Sequence, residues 1–266
     1  MERRAFLAAT TAAALTSTDA IAGGAAAQAG SAASLPILEL RRYRLRQGAL
    51  AARFAAYAKD ALVPALGRAG IAPVGAWNVA VGPEQPTVHL LLPHPGAESV
   101  VTLAARLDGD AEYRKAAASS LALPPSDPPY VACDVSLHAA VPTSPAVQKP
   151  ADEAAGPARI FELRTYRSAT EAASRRKIEM FEAGGELALF ARLGLRVVFF
   201  SRDLAAGGLP SLTYMVVFAD GAAREKAWAA FGSHPEWVKM REDPRYADTV
   251  SRIDSTLLRP TDYSQL

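Results

Sequence analysis

Phe161-Glu162-Leu163-Arg164-Thr165-Tyr166-Arg167 is the stretch that decides the fold of this 266-residue chain. Its apolar, aromatic and β-branched residues alternate with charged ones, a period-two pattern that is typical of a β-strand. A second copy, Leu38-Glu39-Leu40-Arg41-Arg42-Tyr43-Arg44, occurs 123 residues earlier. The shared pattern Glu-Leu-Arg-x-Tyr-Arg predicts that the chain is one structural module repeated twice.

The two copies open the same series of predicted elements, in the order β-α-β-β-α-β. From Gly70 onward the two halves align at a constant offset of 124 residues, so that Gly70 matches Gly194 and Pro86 matches Pro210. An offset that stays constant through helices and strands indicates a tandem repeat of a whole structural unit. The predicted strands of the first half lie at 37–45, 74–81, 87–92 and 130–138, and those of the second at 160–167, 195–202, 212–218 and 250–258.

The composition of the chain predicts four segments. Residues 1–34 place Arg3-Arg4 before an apolar Ala/Thr/Leu run and a small-residue site that ends at Ala27, a pattern typical of a cleaved twin-arginine export signal. The first module is predicted at 35–140, a Pro/Ala-rich linker at 141–158 and the second module at 159–266. The export signal predicts a periplasmic or secreted protein.

The repeated unit predicts an α+β fold. A β-α-β-β-α-β unit is ferredoxin-like, with both helices on one face of an antiparallel sheet and the other face bare. Because a bare sheet face must be covered, we predict that the two modules pack sheet to sheet within the chain and form a barrel; further homo-oligomer formation is left open. Strand side chains alternate between faces, and we expect one repeated face to point into the barrel. That face consists of Glu39, Arg41, Tyr43, Glu162, Arg164 and Tyr166.

Three stretches resemble the NIPSNAP family. They are the Glu-Leu-Arg-x-Tyr-Arg strand of each module, the stretch Phe231-x-x-His234-Pro235-Glu236-Trp237, and the tail 253–261, Ile-Asp-Ser-Thr-Leu-Leu-Arg-Pro-Thr. The resemblance covers residues 35–266 and is looser in the first module, where Tyr113 stands in the place of Trp237. It implies the dimeric α/β-barrel fold, whose members include cofactor-independent monooxygenases and haem-degrading enzymes with ligands between sheet and helices. The family has no agreed catalytic motif, so the resemblance implies no catalytic residue.

Several classes of function find no support in the sequence. The net charge of +2 and the lack of a basic stripe favour no nucleic-acid partner, and no apolar run is long enough for a transmembrane segment. The four histidines, His89, His94, His138 and His234, show no metal-ligand spacing, and we expect neither a metal nor another cofactor. No Gly-x-Ser-x-Gly elbow marks a serine nucleophile. The single cysteine, Cys133, rules out an intrachain disulfide.

The sequence leaves two functions of different classes. The first is a protein that binds a small molecule or a partner without chemistry. The second is a cofactor-independent monooxygenase-like or isomerase-like enzyme acting on an apolar or aromatic molecule. Whether the protein is an enzyme is not decided, because no acid-base or nucleophile set stands out. The candidate pocket residues, each of which also has an interpretation as a packing or ion-pair residue, are Glu39, Arg41, Tyr43, Glu162, Arg164, Tyr166, His89, Trp228 and Trp237.

Overall fold

The structure of the protein is a computed structural model that describes residues 35–82, 85–150 and 158–266. The predicted export signal at 1–34 lies outside the described residues, and so does part of the predicted linker, at 151–157. Within the described ranges, no helix has the length and apolar character needed to cross a membrane. The segment boundaries given above stay predictions.

Each half of the chain folds in the predicted order β-α-β-β-α-β. The strands of the first half are β1 (Ile37–Arg44), β2 (Gly75–Val81), β3 (Thr87–His94) and β4 (Ala132–Ala140). Its helices are α1 (Ala49–Tyr57), α2 (Val63–Arg68), α3 (Ala97–Gly109) and α4 (Ala111–Leu121). A π-helical turn, Ala58–Leu62, joins α1 to α2, and Pro64 lies in the first turn of α2, where its missing N–H is not needed.

The second half repeats this series. Its strands are β5 (Ile160–Arg167), β6 (Arg196–Ala205), β7 (Ser211–Phe218) and β8 (Arg252–Pro260). Its helices are α5 (Glu171–Phe181), α6 (Glu186–Arg192), α7 (Gly221–Ser233) and α8 (Pro235–Arg241). The side chains of Thr170 and Asp220 start α5 and α7, because each accepts a hydrogen bond from the backbone N–H three residues ahead.

The eight strands close into one antiparallel barrel in the order β1-β3-β2-β8-β5-β7-β6-β4. Two pairings join the halves, β2 with β8 and β4 with β6, and we call them the β2–β8 seam and the β4–β6 seam. The predicted barrel within one chain is therefore confirmed. It has an apolar end, where side chains from both halves meet in one buried cluster that includes Leu38, Trp77, Phe161, Phe199, Met215 and Leu258.

The prediction of which strand face points into the barrel is wrong. The Glu-Arg-Tyr face of each module lies on the outer side of the sheet, under the helices. Tyr43 packs on Phe54 of α1 with ring centroids 4.7 Å apart, and Tyr166 packs on Phe181 of α5 at 5.9 Å. The opposite face of β1, which begins with Leu38, forms the interior together with its repeat in β5.

Trp77 fills the apolar end of the interior and packs directly on Gly75 of its own strand. The Trp77 side chain is fully buried, and its ring centroid lies 5.2 Å from that of Phe161 in the other half. A Cβ atom added at Gly75 would lie 1.9 Å from Cη2 of Trp77. Gly75 is thus the residue that leaves room for the ring.

We expect Gly75→Ala to lower the free energy of unfolding by about 1–3 kcal/mol, because a closely packed ring must shift to admit the methyl group. Chemical denaturation measures this change. Gly67→Ala in α2 is the control, since a Cβ at Gly67 meets nothing within 4 Å. This control should be neutral or stabilising by about 0.5–1 kcal/mol. Equal effects of the two substitutions would contradict the packing described for Trp77.

Candidate functional site

Glu162 of β5 is the centre of a polar cluster between the sheet and helix α7. Its carboxylate is fully buried and accepts hydrogen bonds from two arginines, Arg164 Nη1 at 2.7 Å and Arg224 Nε at 2.7 Å. Trp228 Nε1 and Ser255 Oγ each donate to it at 2.8 Å. The four donor side chains come from β5, β8 and α7, and these three elements surround the carboxylate.

The donors around Glu162 decide its ionisation. Burial alone would raise the pKa of this carboxyl, but hydrogen bonds from Arg224 and Ser255, with the charge of Arg164, outweigh burial and lower it to about 2. Glu162 is therefore ionised across the physiological range. It acts as an anchor for two guanidinium groups, because a general acid or base needs a pKa near the working pH.

Arg164 links Glu162 to a pair of tyrosines. Its guanidinium donates to the Tyr166 hydroxyl at 3.2 Å and lies 4.8 Å from the centroid of the Trp228 ring. The Tyr214 hydroxyl donates to that of Tyr166 at 3.0 Å. Burial raises the pKa of both tyrosines, so both hold their protons at neutral pH. Sequence reasoning grouped Glu162, Arg164 and Tyr166 correctly, and α7 adds Trp228.

A buried ion pair lies beside this cluster. Lys177 of α5 and Glu186 of α6 are 2.9 Å apart, and both side chains are almost completely buried. The Lys177 ammonium also lies 4.4 Å from the centroid of Phe181 and 5.5 Å from that of Trp237. Trp237, a candidate pocket residue, packs on Phe231 at 4.5 Å, which is a packing role.

The first module holds its equivalent carboxylate with different partners. Glu39 accepts from Arg41 Nε at 2.6 Å and is bonded to His94 Nε2 at 2.8 Å, while His94 Nδ1 lies 3.0 Å from Ser99 Oγ. Burial raises the pKa of Glu39, and the bonds to His94 and Arg41 reverse the direction and leave it lowered. Glu39, Arg41 and Tyr43 therefore form a second cluster on their own side of the barrel.

The other end of the barrel interior is polar and holds a cavity of about 250 Å³, which we call the interior cavity. Of the candidate residues, only His89 lies in its wall within the described part of the chain. Burial, with the nearby Arg42, lowers the pKa of His89 to about 4, so its imidazole is neutral at neutral pH. The lining residues include Leu40, Arg42, His89, Asp134, Ser136, His138, Thr165, Arg167, Asp203 and Thr213.

Two sets of paired arginine and aspartate side chains each contribute residues to the cavity wall. Arg42 and Arg44 lie 2.9 Å and 3.3 Å from Asp134. In the second set, Arg167 and Arg252 lie 2.9 Å and 2.7 Å from Asp254. These two sets are partly exposed. Of these side chains, Arg42, Asp134 and Arg167 line the interior cavity.

Comparison with known proteins assigns the family. A family model, NIPSNAP, matches residues 38–124 and 161–265, which is more than half of the chain. The chain belongs to the NIPSNAP family. Each matched range of this NIPSNAP protein begins at the second residue of a repeated strand, Leu38 of β1 or Phe161 of β5. A search of curated proteins found no match in sequence.

Two solved structures that cover most of this NIPSNAP protein confirm its dimeric α/β-barrel fold. A "putative monooxygenase" from Lactobacillus acidophilus has a TM-score of 0.56 and 8% identity, over 85% of this chain and 94% of that chain. A second, from Fusobacterium nucleatum, has a TM-score of 0.54 and 8% identity, over 85% and 93%. A NIPSNAP-like domain protein from Burkholderia xenovorans is 21% identical over 42% of this chain and 92% of its own, with a TM-score of 0.37.

Sequence reasoning missed most of the residues around the interior cavity. It examined His138 only as a metal ligand, and it passed over Ser136, Asp203 and both arginine–aspartate sets. Ser136 and His138 are two residues apart on a predicted strand, so their side chains lie on one face. The sequence therefore contained a signal for this half of the arrangement. Asp203 comes from the other half of the NIPSNAP chain, 65 residues away, and no local pattern marks it.

Proposed function

We propose that this NIPSNAP protein binds a small, negatively charged molecule, such as a short carboxylic acid, in the interior cavity. The observation that carries the proposal is the presence of two guanidinium groups, those of Arg42 and Arg167, in the wall of this polar cavity. Guanidinium groups in the wall of a concave site attract anions. The volume of about 250 Å³ limits the ligand to a small molecule.

Other polar side chains in the cavity wall also suit a small ligand, and one of them is the neutral His89. Its imidazole adds no charge, but it offers one donor and one acceptor in the cavity wall. Thr165 and Thr213, whose hydroxyls lie 3.0 Å apart, offer further polar groups on the opposite wall. A ligand with a charged head and a small polar body fits this combination.

Ligand-induced stabilisation tests the proposal. Short mono- and dicarboxylates should raise the melting temperature of the purified protein, and neutral amides of the same size should not. Arg42→Met should weaken the binding of such a carboxylate at least roughly tenfold, in line with the loss of a charge-assisted hydrogen bond. Native mass spectrometry of the purified protein searches for the natural ligand in parallel.

Arg53→Met is the matched control for Arg42→Met. Arg53 is also about two-fifths exposed and is also paired with one aspartate, Asp127, at 2.7 Å, but it lies on α1 outside the barrel. Binding should be unchanged in this control. Equal binding by both variants would overturn the interior cavity as the site, and stabilisation by the neutral amides would overturn the charge preference.

A monooxygenase-like or isomerase-like reaction beneath the helices has less support. Two neighbours in fold are described as a "putative monooxygenase", and at 8% identity this likeness concerns the fold alone. Tyr166 and Tyr214 are the groups there that could exchange a proton with a substrate. Their hydroxyls bond to each other, and burial raises the pKa of both, which makes them weak acids that keep their protons at neutral pH.

We also propose that the chain is exported by a twin-arginine route and acts in the periplasm or outside the cell. Arg3-Arg4 before an apolar run supports this proposal. Arg3→Lys combined with Arg4→Lys should leave the uncleaved precursor in the cytoplasm, which cell fractionation and the mass of the amino terminus measure. Normal processing of the double variant would overturn the twin-arginine route.

A further inference from the structure

Three side chains in the wall of the interior cavity form a continuous hydrogen-bonded chain. Ser136 Oγ lies 2.7 Å from His138 Nε2, and His138 Nδ1 lies 2.7 Å from Asp203 Oδ1. Ser136 and His138 share the inner face of β4 because they are two residues apart. Asp203 lies opposite His138 across the β4–β6 seam.

A β-bulge in the seam brings Asp203 into this position. Leu137 pairs with Ala205, but its neighbour His138 pairs with Asp203, so Leu204 is an extra residue on β6. Bulges of this kind re-aim side chains and are frequent beside active sites. Without the extra residue, Asp203 would be one position out of register with His138.

The surroundings of Asp203 fix the direction of the hydrogen bonds. Its second oxygen accepts from Ser211 Oγ at 2.6 Å and from Thr213 Oγ1 at 2.9 Å, so the carboxylate is held as an acceptor. His138 Nδ1 must then carry the proton that it donates to Asp203. His138 Nε2 is left with the lone pair that accepts the Ser136 hydroxyl proton. This is the tautomer needed by a histidine that activates a serine.

We propose that Ser136 is the nucleophile, His138 the general base and Asp203 the positioning residue of an esterase that acts on small esters bearing a negative charge. The substrate class rests on the proposed function of the interior cavity, whereas the nucleophile rests on the geometry of the three side chains. Arg42 also lines the interior cavity. It is two residues beyond Leu40, which pairs with Ser136.

The reaction follows from these positions. Ser136 Oγ bonds to the ester carbonyl carbon as its proton passes to His138 Nε2, and Arg42 faces the negative carbonyl oxygen that develops. The carbon–oxygen bond to the alcohol then breaks, and His138 returns the proton to the leaving oxygen. Water, with His138 again as base, hydrolyses the acyl group on Ser136, which releases the carboxylic acid and restores the serine.

Only one of the two seams carries this arrangement. Leu258 is the repeat of His138, because each lies opposite the same position of the repeated strand, Phe161 and Leu38 respectively. Val79 lies opposite Leu258 at the β2–β8 seam, in the place of Asp203. Apolar residues therefore suffice to close an equivalent seam, and barrel closure does not require the polar chain at the β4–β6 seam.

Covalent labelling tests the nucleophile without any need for anion recognition. Diisopropyl fluorophosphate is neutral, and a serine activated by histidine displaces its fluoride. Intact-mass analysis and peptide mapping should find one label on Ser136 of the full chain. Ser136→Ala should abolish labelling, and His138→Gln should slow it by roughly 10²–10⁴-fold. Thr256→Ala is the control, since Thr256 is the repeat of Ser136, and it should label like the wild type.

Asp203→Asn tests the positioning role. Labelling should become slower, and its pH profile should move to lower pH, because the imidazole loses the carboxylate that stabilises its protonated form. Arg42 and His89 are the other titratable groups that face this part of the cavity beside Asp134. Slower labelling with an unchanged pH profile would overturn the positioning role.

The melting temperature of each variant separates loss of chemistry from loss of folding. A folded wild-type protein that is not labelled, or that is labelled at another residue, overturns the nucleophile even if carboxylates bind in the cavity. Ser136-dependent hydrolysis of p-nitrophenyl acetate that is as fast as that of p-nitrophenyl succinate keeps the nucleophile and overturns the anionic substrate class. Faster hydrolysis of the succinate ester supports both.

Discussion

Glu162→Gln is expected to lower the free energy of unfolding by about 3–5 kcal/mol at neutral pH, because it removes the one carboxylate that Arg164 and Arg224 share in a buried site. The Glu162 side chain has no exposed surface, and both arginines are mostly covered. A glutamine keeps the size of the side chain, but its NH₂ group points donors at guanidinium donors. Denaturant unfolding of variant and wild type measures the difference.

The same substitution should flatten the pH dependence of stability in acid. The pKa of Glu162 is about 2 in the folded protein, against 4.5 for an unperturbed glutamate. A lowered pKa stabilises the fold above the unfolded value, and this contribution is lost as the pH falls from about 4.5 to about 2. The wild type should therefore lose about 3 kcal/mol that the variant does not lose over this interval.

Glu236→Gln is the control for Glu162→Gln. Glu236 also pairs with an arginine, Arg192, but both side chains are more than half exposed. Such a pair contributes about 0–1 kcal/mol. Parallel stability curves for the wild type and Glu162→Gln between about pH 5 and pH 2 would contradict the buried anchor.

Lys177→Met is expected to destabilise the protein by about 3–5 kcal/mol, because it leaves Glu186 buried without its cation. Burial already raises the pKa of Glu186 while Lys177 is present, and the loss of the ammonium removes the largest opposing effect. The variant should take up a proton on Glu186. Its stability should therefore fall more steeply than that of the wild type as the pH rises above 4.5, the pKa of an unperturbed glutamate.

The double variant Lys177→Met with Glu186→Leu should recover most of this loss. Apolar side chains of similar volume are often as stable as a buried ion pair, since neither charge must leave water. The aromatic rings of Phe181 and Trp237 already form an apolar wall around Lys177. Denaturant unfolding of the two single variants and the double variant completes a mutant cycle. A double variant as unstable as Lys177→Met would contradict this account.

The repeated strand predicts the architecture of the NIPSNAP fold well, because strand alternation and a constant offset are local properties. The orientation of that strand could not be predicted in the same way. Both faces of β1 mix apolar and charged residues, so alternation defines two faces without deciding which one is inside. The decision depends on donors far along the chain. Arg224 and Trp228 of α7 satisfy Glu162 beneath the helices, and this is what lets a charged face be buried there.

The interior cavity was less predictable for a related reason. Ser136 and His138 are close in sequence, but their significance depends on Asp203, which the closure of the β4–β6 seam brings opposite. A one-residue bulge at Leu204 sets the register, and composition does not encode a bulge. The arginine–aspartate sets have the same origin, since Asp134 meets Arg42 and Asp254 meets Arg167 across strand pairs.

The unlike seams of the barrel have a consequence for how such a protein can evolve. In a barrel made of two identical single-module subunits, two-fold symmetry forces every interface residue to occur twice, once in each seam. A polar group useful at one seam would then have to be tolerated at the other. Duplication and fusion remove that constraint, since each seam is encoded separately. Val79 and Leu258 can hold one seam together by apolar packing, while His138 and Asp203 are free to diverge at the other.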